Sequence, residues 1–168
     1  MSETTSATPS PEEAEPAQPA VAVRAQYVKD LSFENPGAPM SLAAEKGQPT
    51  INVDVDVQAR ALAETEYEVS LRISATAKHE EATAFEVELL YAGVFSLLNI
   101  SAENHSPVCL IECPRLLFPF ARCIIADATR DGGFPPLLLN PIDFSALYRE
   151  HQERQIEATP DDTIRTDA

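Results

Sequence analysis

The stretches INVDVDVQ (residues 51–58) and EYEVSLRISATA (residues 66–77) decide the fold, because apolar and polar residues alternate along both. Such alternation is typical of a β-strand with one buried and one exposed face. The residues predicted to face inward are Ile51, Val53, Val55, Val57, Tyr67, Val69, Leu71, Ile73 and Ala75. A short polar connection joins the two stretches, which therefore predict neighbouring strands of an antiparallel sheet with one covered face.

Two more alternating stretches flank this pair. TAFEVELLY (residues 83–91) directs Phe85, Val87 and Leu89 inward, and VAVRAQYVKDLSFE (residues 21–34) precedes the pair. In the latter, the residues predicted to share the inward face are Val21, Val23, Ala25, Tyr27, Leu31 and Phe33. The linker at 35–49 is rich in Pro and Gly and is longer than a simple connection needs, so we expect it to be functional.

Beyond Gly93 the spacing of apolar residues becomes helical. The first helical region, about 101–130, has Ser106 as its expected N-cap, and Pro114 and Pro119 are expected to kink or break it. The second helix is predicted over roughly 141–157 with Asn140 as its N-cap. The order of four strands followed by two helices predicts an α+β fold, a four-stranded antiparallel sheet with two helices packed on one face.

Composition divides the 168 residues into a domain and two tails. Residues 1–20 are rich in Pro, Glu, Ser, Thr and Ala and contain almost nothing that could enter a core, so we expect a disordered N-terminal tail. Residues 158–168 have the same character and predict a disordered C-terminal tail. One domain is expected over 21–157.

The net charge of −15 argues against nucleic acid and anionic membrane surfaces as partners, since both require a basic footprint. We find no signal peptide and no apolar run long enough to span a membrane, and expect no membrane insertion. Cys109, Cys113 and Cys123 lie in an apolar region, where they are expected to be buried and reduced. These features predict a cytoplasmic protein.

No constellation in the sequence supports catalysis. The three histidines have no carboxylate or serine at a spacing that would orient them as catalytic bases, and there is no phosphate-binding loop. His105, Cys109 and Cys113 lie one helical turn apart, which is either a partial zinc face or a set of core residues. A fourth ligand is missing, so we expect no metal, no cofactor and no enzymatic activity.

Two features remain to be explained. One is the acidic outward register of the strands, either a solvated face or a docking surface for a cationic partner. Its members are Asp30, Glu34, Asp54, Asp56, Glu66, Glu68, Glu86 and Glu88. The other is the surplus of apolar residues over 113–148, which is divided in unknown shares between core, subunit interface and a groove for apolar ligands or extended peptide.

Five stretches together resemble the SecB family of bacterial protein-export chaperones. They are YVKDLSFENPGAP (27–39), YEVSLRISATA (67–77), TAFEVELLYAGVFS (83–96), CPRLLFPFAR (113–122) and GGFPPLLLNPIDFSALY (132–148). They occur in family order and span about 22 to 150. The resemblance implies a homotetramer, a dimer of dimers with the long first helices between the dimers. It also implies an ATP-independent holdase that keeps unfolded precursor proteins competent for translocation and delivers them to the motor SecA.

The family's SecA-docking acids match Asp30, Glu34 and Glu88. Glu86 occupies a further docking position that is usually apolar in the family, which makes this surface more acidic. The zinc ion of that complex belongs to the tail of SecA, in keeping with the lack of a zinc site in this sequence. An alternative is a general or toxin–antitoxin-linked holdase of the same fold; a small-molecule-binding domain or an enzyme would need a polar pocket.

From location and composition we expect client grooves to be lined by the 35–49 linker, the sheet edge and the second helix. The candidates are Met40, Leu42, Phe134, Leu137, Leu139, Phe144, Leu147 and Tyr148. A holdase needs exposed apolar area of this kind, because unfolded clients offer mainly apolar side chains and backbone.

Overall fold

The computed structural model describes residues 15–158, so most of the predicted tails (1–20 and 158–168) lies outside the described residues. Its centre is one antiparallel sheet of four strands in the order β1-β4-β3-β2. The strands are β1 (Ala20–Glu34), β2 (Thr50–Ala61), β3 (Glu66–His79) and β4 (Ala82–Leu98). The predicted α+β class and the four-stranded antiparallel sheet are confirmed.

Helical segments occupy the β1–β2 linker and the C-terminal third of the described chain. The linker has two 3₁₀ turns, Met40–Leu42 and Ala44–Lys46. After β4 come a 3₁₀ turn (Ala102–Asn104), the single turn α1 (His105–Pro107), a π-helical segment (Val108–Glu112) and the long helix α2 (Cys113–Asp131). Helix α3 (Phe144–Glu157) ends the described region.

The core lies between the sheet and α2. Val69, Leu71 and Ile73 of β3 are fully buried, as are Leu117 and Ile125 of α2. Helix and sheet approach closely at Gly93 of β4, because a Cβ there would lie 3.0 Å from Leu117 Cδ2 and 2.9 Å from a ring carbon of Phe95. The face predicted to be inward in β3 and β4 is therefore the covered face.

The predicted inward face of β1 is wrong at two positions, Ala25 and Tyr27. The β1–β4 register shifts between Val23 and Ala25 and again between Val28 and Asp30. Side chains between the two shifts lie on the faces opposite to those predicted, so that Tyr27 pairs with Ala92 on the outer face. A β-bulge inserts one residue into a strand and thereby reverses the side-chain alternation beyond it. The second bulge restores the predicted parity, and Leu31 and Phe33 lie on the helix side.

Three expectations about the helices also change. Neither proline breaks α2. Pro114 lies in its first turn, where proline is tolerated, and the packing of Leu117, Ala121 and Ile125 on the sheet offsets the local cost of Pro119. Ser106 lies within the helical run and does not cap it.

The second helix begins three residues later than predicted. Asp143, and not Asn140, is its N-cap: the Ala146 N–H donates to Asp143 Oδ1 at 3.0 Å. Helix α3 joins the fold at its N-terminal end, where the Phe144 ring lies 6.2 Å from that of Phe118 on α2. Its last two turns, from Arg149 onward, are exposed.

The cysteines are free thiols, and they divide into two groups. Cys109 and Cys113 are buried, as predicted, but Cys123 is exposed on α2, so the expectation of three buried thiols is wrong. The Cys113 thiol donates a hydrogen bond that holds the pKa of Cys109 below its usual value, while the same bond and burial raise the pKa of Cys113.

Candidate functional site

Three phenylalanine rings meet where β1 ends, β4 begins and the loop after α2 returns to the sheet. The ring centroids of Phe85 and Phe134 lie 4.9 Å apart, and Phe33 is 5.8 Å from Phe85 and 6.5 Å from Phe134. Phe85 and Phe134 are almost fully buried, whereas Phe33 is half-buried. Aromatic pairs at these separations gain about 0.5–1.5 kcal/mol beyond their area burial, so the contacts between the rings stabilise this cluster.

An apolar groove of about 240 Å³ opens beside this cluster. Its lining comes from the end of the linker, the start of β2, the start of β4 and the loop after α2. The lining residues are Gln48, Pro49, Ile51, Phe85, Phe134, Pro135, Pro136 and Leu137. We call this set the apolar groove. It presents mainly rings and aliphatic carbon, and none of the described residues that line it is charged.

The loop that forms one wall of the apolar groove is held by Thr129 of α2. Thr129 is fully buried; its hydroxyl donates to the Ile125 and Ala126 carbonyls and accepts the Leu137 N–H at 2.9 Å. The Phe134 N–H donates to the Thr129 carbonyl at 3.1 Å. The wall is therefore fixed to the helix at two points before any ligand arrives.

Gly132 allows the same loop to pass directly over Phe33. A Cβ at this position would lie 2.2 Å from the Phe33 ring, which is far inside van der Waals contact. Gly133 has φ +93°, a conformation that favours glycine, and lies against Leu42 of the linker. The two glycines thus let the linker and the loop close around the aromatic cluster.

The linker is attached to the site by its own polar residues. Ser41 Oγ donates to Asn35 Oδ1 at 2.6 Å, and Asn35 Nδ2 reaches the Gly132 carbonyl at 3.5 Å. Met40 and Leu42 remain exposed at the surface, with 67% and 42% of their area accessible. Uncovered apolar residues next to an apolar groove extend the surface that a ligand would contact.

The predicted groove candidates fall in three places. Phe134 and Leu137 line the apolar groove, and Met40 and Leu42 lie on the adjoining linker. Leu139 and Phe144 are core residues, 5% and 1% exposed, because the chain after the loop turns inward towards α2. Leu147 and Tyr148 line a separate cavity of about 70 Å³ between α3 and β2, with Val55, Val57 and Leu110.

Sequence reasoning missed part of the lining. Ile51 was identified as an inward residue of β2, but β2 is an edge strand that the helices do not reach there, and Ile51 stays 38% exposed. Gln48 and Pro49 belong to the 35–49 linker that was expected to line a groove, but neither was named as a candidate. One signal in the sequence was available: Ile51 continues the inward register of β2 next to a Pro-rich linker, at the end of the strand that the helix does not cover.

The predicted docking acids lie together on the outer face of the sheet, opposite to the helices. Glu34 pairs directly with Glu86 across β1 and β4, and Glu88 lies two residues further along, opposite Ser32. Asp30 is opposite Leu90 on the same face. We call Asp30, Glu34, Glu86 and Glu88 the acidic cluster.

The carboxylates of the acidic cluster differ in whether a cationic side chain pairs with them. Glu88 forms an ion pair with Arg72 of β3. Between residues 15 and 158, the carboxylates of Asp30, Glu34 and Glu86 form no ion pair. Like charges directly opposite each other in a sheet are destabilising, so the Glu34–Glu86 pair has a cost in the isolated chain.

The outer face also carries a polar network centred on Glu68, which is 9% exposed. Glu68 accepts hydrogen bonds from the Tyr27 hydroxyl at 2.5 Å and Lys29 Nζ at 2.9 Å, and Arg60 lies 3.3 Å away. The Tyr27 bond, followed by Lys29, lowers the pKa of Glu68. Burial and the same carboxylate raise the pKa of Tyr27 to about 12. The network links both edge strands to β3.

His105 and the buried cysteines do not form a metal site. Ile100 O can only accept, so His105 Nε2 donates to it at 3.0 Å, and His105 Nδ1 accepts from the Tyr67 hydroxyl at 2.9 Å. Both ring nitrogens are therefore used. Over residues 15–158 no group of three His, Cys, Asp or Glu side chains is placed to hold a metal ion. In the same range, no helix has the length and apolarity needed to cross a bilayer.

Comparison with known proteins gives a consistent result. The family model "Preprotein translocase subunit SecB" matches residues 14–155. Protein-export protein SecB of Rhodopseudomonas palustris (strain BisB18) is 56% identical over 140 residues, which cover 83% of this chain and 85% of the relative. Protein-export protein SecB of Bradyrhizobium sp. (strain BTAi1) is 56% identical over 148 residues, covering 88% and 90%.

Among solved structures, a SecB-like chaperone of Mycobacterium tuberculosis, in complex with a peptide from an antitoxin, has the same fold. It superposes with a TM-score of 0.61 at 16% identity, covering 73% of this chain and 90% of the other. With a family model that spans most of the sequence and relatives above 50% identity, the chain belongs to the SecB family of protein-export proteins.

Proposed function

We propose that this protein is an ATP-independent cytoplasmic chaperone that holds unfolded precursor proteins for export and delivers them to the motor SecA. The apolar groove carries this proposal, because it is an open, uncharged trough beside the free edge strand β2. Its floor and one wall are fixed by the aromatic cluster and by Thr129. A preformed apolar trough can accept extended segments of many sequences.

The energetics suit a holdase. Burying about 500 Å² of apolar client surface is worth about 12 kcal/mol before the costs of association and ordering, which remove much of it. Binding of this kind depends on area and does not require a defined client sequence. Neither nucleotide hydrolysis nor a cofactor is needed, and the protein acts without catalysis.

Delivery would use the acidic cluster. Three unpaired carboxylates and Glu88 present a negative surface on the face opposite to the apolar groove, so that a client and a cationic partner segment need not compete for space. Asp30, Glu34 and Glu88 match the SecA-docking acids of the family. Glu86 adds a fourth negative charge where the family usually has an apolar residue.

Assembly as a homotetramer, a dimer of dimers, is part of the proposal. Val23, Val28 and Leu31 of β1 point to the helix side and are each more than 40% exposed, and Leu116 and Phe120 of α2 are 43% and 53% exposed. A strand edge and a helix with uncovered apolar residues are the surfaces that oligomers bury. Sedimentation analysis should give a tetramer.

The test is suppression of aggregation of a slowly folding precursor by the purified full chain. Ile51→Asp places a charge in the apolar groove and is expected to weaken suppression about tenfold, since an unpaired charge resists burial against a client. Ile156→Asp makes the same change at a position 73% exposed near the end of α3 and should leave suppression unchanged. Failure of the unaltered protein to suppress aggregation in stoichiometric excess would contradict the proposal.

A general or toxin–antitoxin-linked holdase would use the same groove. The identity above 50% to export proteins favours export. Capture of SecA, and not of a toxin–antitoxin pair, by the immobilised protein is the expected result.

A further inference from the structure

The outer face of the sheet contains a hollow next to the acidic cluster that the proposed function leaves unused. The hollow has a volume of about 220 Å³ and spans all four strands. Its lining is Lys29, Asp56, Gln58, Ala59, Arg60, Glu68, Ser70, Arg72 and Leu90. The register explains the depression: Ser70 of β3 lies between Ala92 and Gln58, so small residues occupy the middle of the sheet while long polar side chains surround them.

The hollow is lined by more cationic than acidic side chains, whereas the chain as a whole carries a large negative charge. The whole protein has 12 Lys and Arg against 27 Asp and Glu, yet three of those twelve cations line this one hollow, with only two carboxylates. One of the two, Glu68, is largely buried beneath Tyr27, Lys29 and Arg60. Among the described residues, the lining of the hollow thus has more cations than carboxylates, although the chain as a whole is strongly acidic.

Hydrogen-bond donors remain available in the hollow. Arg60 uses one guanidinium nitrogen on Glu68 and is 69% exposed, and Lys29 uses one of three ammonium protons on the same carboxylate. Among the described residues, the Ser70 hydroxyl has no hydrogen-bond partner. A carboxylate entering the hollow would meet two cations and a hydroxyl donor.

We infer that the hollow binds a carboxylate of the same partner segment whose cationic residues lie on the acidic cluster. From Glu88 to Ala92 along β4 is four residues, about 14 Å at 3.4 Å per residue. An extended partner segment can contact both surfaces at once if it carries cationic residues for the acidic cluster and, about four residues away, one or two acidic residues for the hollow. This inference rests on the docking role of the acidic cluster, and it adds a charge pattern that the partner must carry.

Such a pattern would give register and selectivity. A purely cationic peptide is attracted to the whole negative surface, but like charge repels it at Lys29 and Arg60. A segment of mixed charge is accepted in one placement only. Charge complementarity of this kind improves discrimination between partners more than it improves total affinity.

The experiment uses synthetic peptides and the full chain. One peptide carries Lys-Arg-Lys, a four-residue Gly/Ser spacer and two glutamates; its match has two glutamines instead, and both are made in either sequence order. Fluorescence anisotropy at low salt should show the glutamate peptide binding about three- to fivefold tighter than the glutamine peptide in one of the two orders.

Arg60→Ala and Lys29→Ala should each remove most of that preference while the glutamine peptide binds as before or better. Arg154→Ala is the matched control, because Arg154 is similarly exposed and forms an ion pair of the same 3.3 Å length with Glu150 on α3. Thermal melting of each variant confirms that the sheet is intact.

Equal affinity for the two peptides in both orders, or a preference that survives Arg60→Ala and Lys29→Ala, would overturn the inference and leave the acidic cluster as a docking site. Failure of every peptide to bind would contradict docking itself, and the inference with it. A peptide of residues 1–14, which has three glutamates and no Lys or Arg, should not compete. Competition that depends on Arg60 would assign the hollow to the chain's own N-terminal segment and would also overturn the inference.

Discussion

The two faces of the sheet offer different interactions to a partner. On the helix side, the apolar groove presents rings and aliphatic carbon around Phe85 and Phe134, and its lining within residues 15–158 carries no charge. On the outer side, Glu34 and Glu86 face each other with no ion-pair partner in the described part of the chain, next to an Arg72–Glu88 ion pair and the buried Glu68 network. One face offers apolar area that a partner could bury, and the other offers charge.

This difference shows how a single layer of strands can serve two partners. Side chains alternate between the two faces of a strand, so changes on one face leave the other almost untouched. β4 contributes Phe85 to the groove side and Glu86 and Glu88 to the acidic cluster. Separate substitutions should therefore separate the two activities, and the following predictions test that separation.

The largest effect is expected from Asp30→Lys combined with Glu88→Lys. The double variant replaces two negative charges with positive ones and should weaken SecA binding about a hundredfold, because like charges then face a cationic partner. Client binding at the apolar groove should stay within about twofold of the original, since it rests on buried apolar area. Both affinities can be measured by calorimetry with one protein preparation. Joint loss of the two activities would contradict the independence of the faces.

A smaller effect is expected on the groove side from Thr129→Val. The substitution keeps the shape but leaves the Leu137 N–H without its acceptor, which should cost about 1–3 kcal/mol of stability and weaken client binding while SecA binding is kept. Chemical denaturation measures the first effect. Thr83→Val is the matched control, because the Thr83 side chain forms no hydrogen bond within the described residues. Equal losses in the two variants would show that Thr129 does not fix the groove wall.

Salt should separate the faces without any mutation. Raising ionic strength from about 50 mM to about 500 mM shortens the screening length several-fold and should weaken docking at the acidic cluster about tenfold. Client binding at the apolar groove should be unchanged or slightly stronger. Titrations of each partner over this range provide the measurement, and a parallel decline for both would mean that charge also governs the groove.

The smallest effect is expected from Tyr27→Phe. The Tyr27 hydroxyl lowers the pKa of Glu68, so its contribution is present above the ordinary glutamate pKa of 4.5 and is lost as pH falls through the lowered value. The pKa of Tyr27 is raised to about 12, so its own contribution is complete below pH 10.0 and is lost between there and about 12. Denaturation at neutral pH should show a loss of about 1 kcal/mol that shrinks in acid.

Tyr148→Phe is the control for Tyr27→Phe, because among the described residues the Tyr148 hydroxyl bonds only to Gln152, within α3. It should change stability little at any pH. A loss for Tyr27→Phe that stays constant down to strongly acidic pH would show that the Glu68 carboxylate is not its source.

Much of the sheet could be predicted from the sequence, because alternation over 51–58 and 66–77 reports burial directly. The same method was wrong at Ala25 and Tyr27, since two bulges in β1 reverse the alternation and leave no mark in the pattern of apolar residues. The N-cap was placed at Asn140 because Pro141 follows it, but the cap is Asp143, whose carboxylate accepts the Ala146 N–H.

The site was harder to predict than the fold. Strand parity predicts only that the members of the acidic cluster point outward with other acids; the family resemblance is what singles them out. The register places Glu34 opposite Glu86 on the outer face. The groove depends on where the chain turns after α2, which apolar composition does not reveal. Leu139 and Phe144 are as apolar as Leu137, yet they are core residues. Ile51 is exposed because the helices end before the edge of β2.

The central claim is that unfolded chains bind in the apolar groove, and site-specific crosslinking tests it most directly. A photoreactive residue in place of Ile51, which lines the groove, should capture an unfolded precursor in high yield, and the folded precursor should not be captured. The same residue in place of Ile156, which is more exposed, should capture little. Equal capture at both positions, or none at Ile51 while the protein still prevents aggregation, would contradict the account.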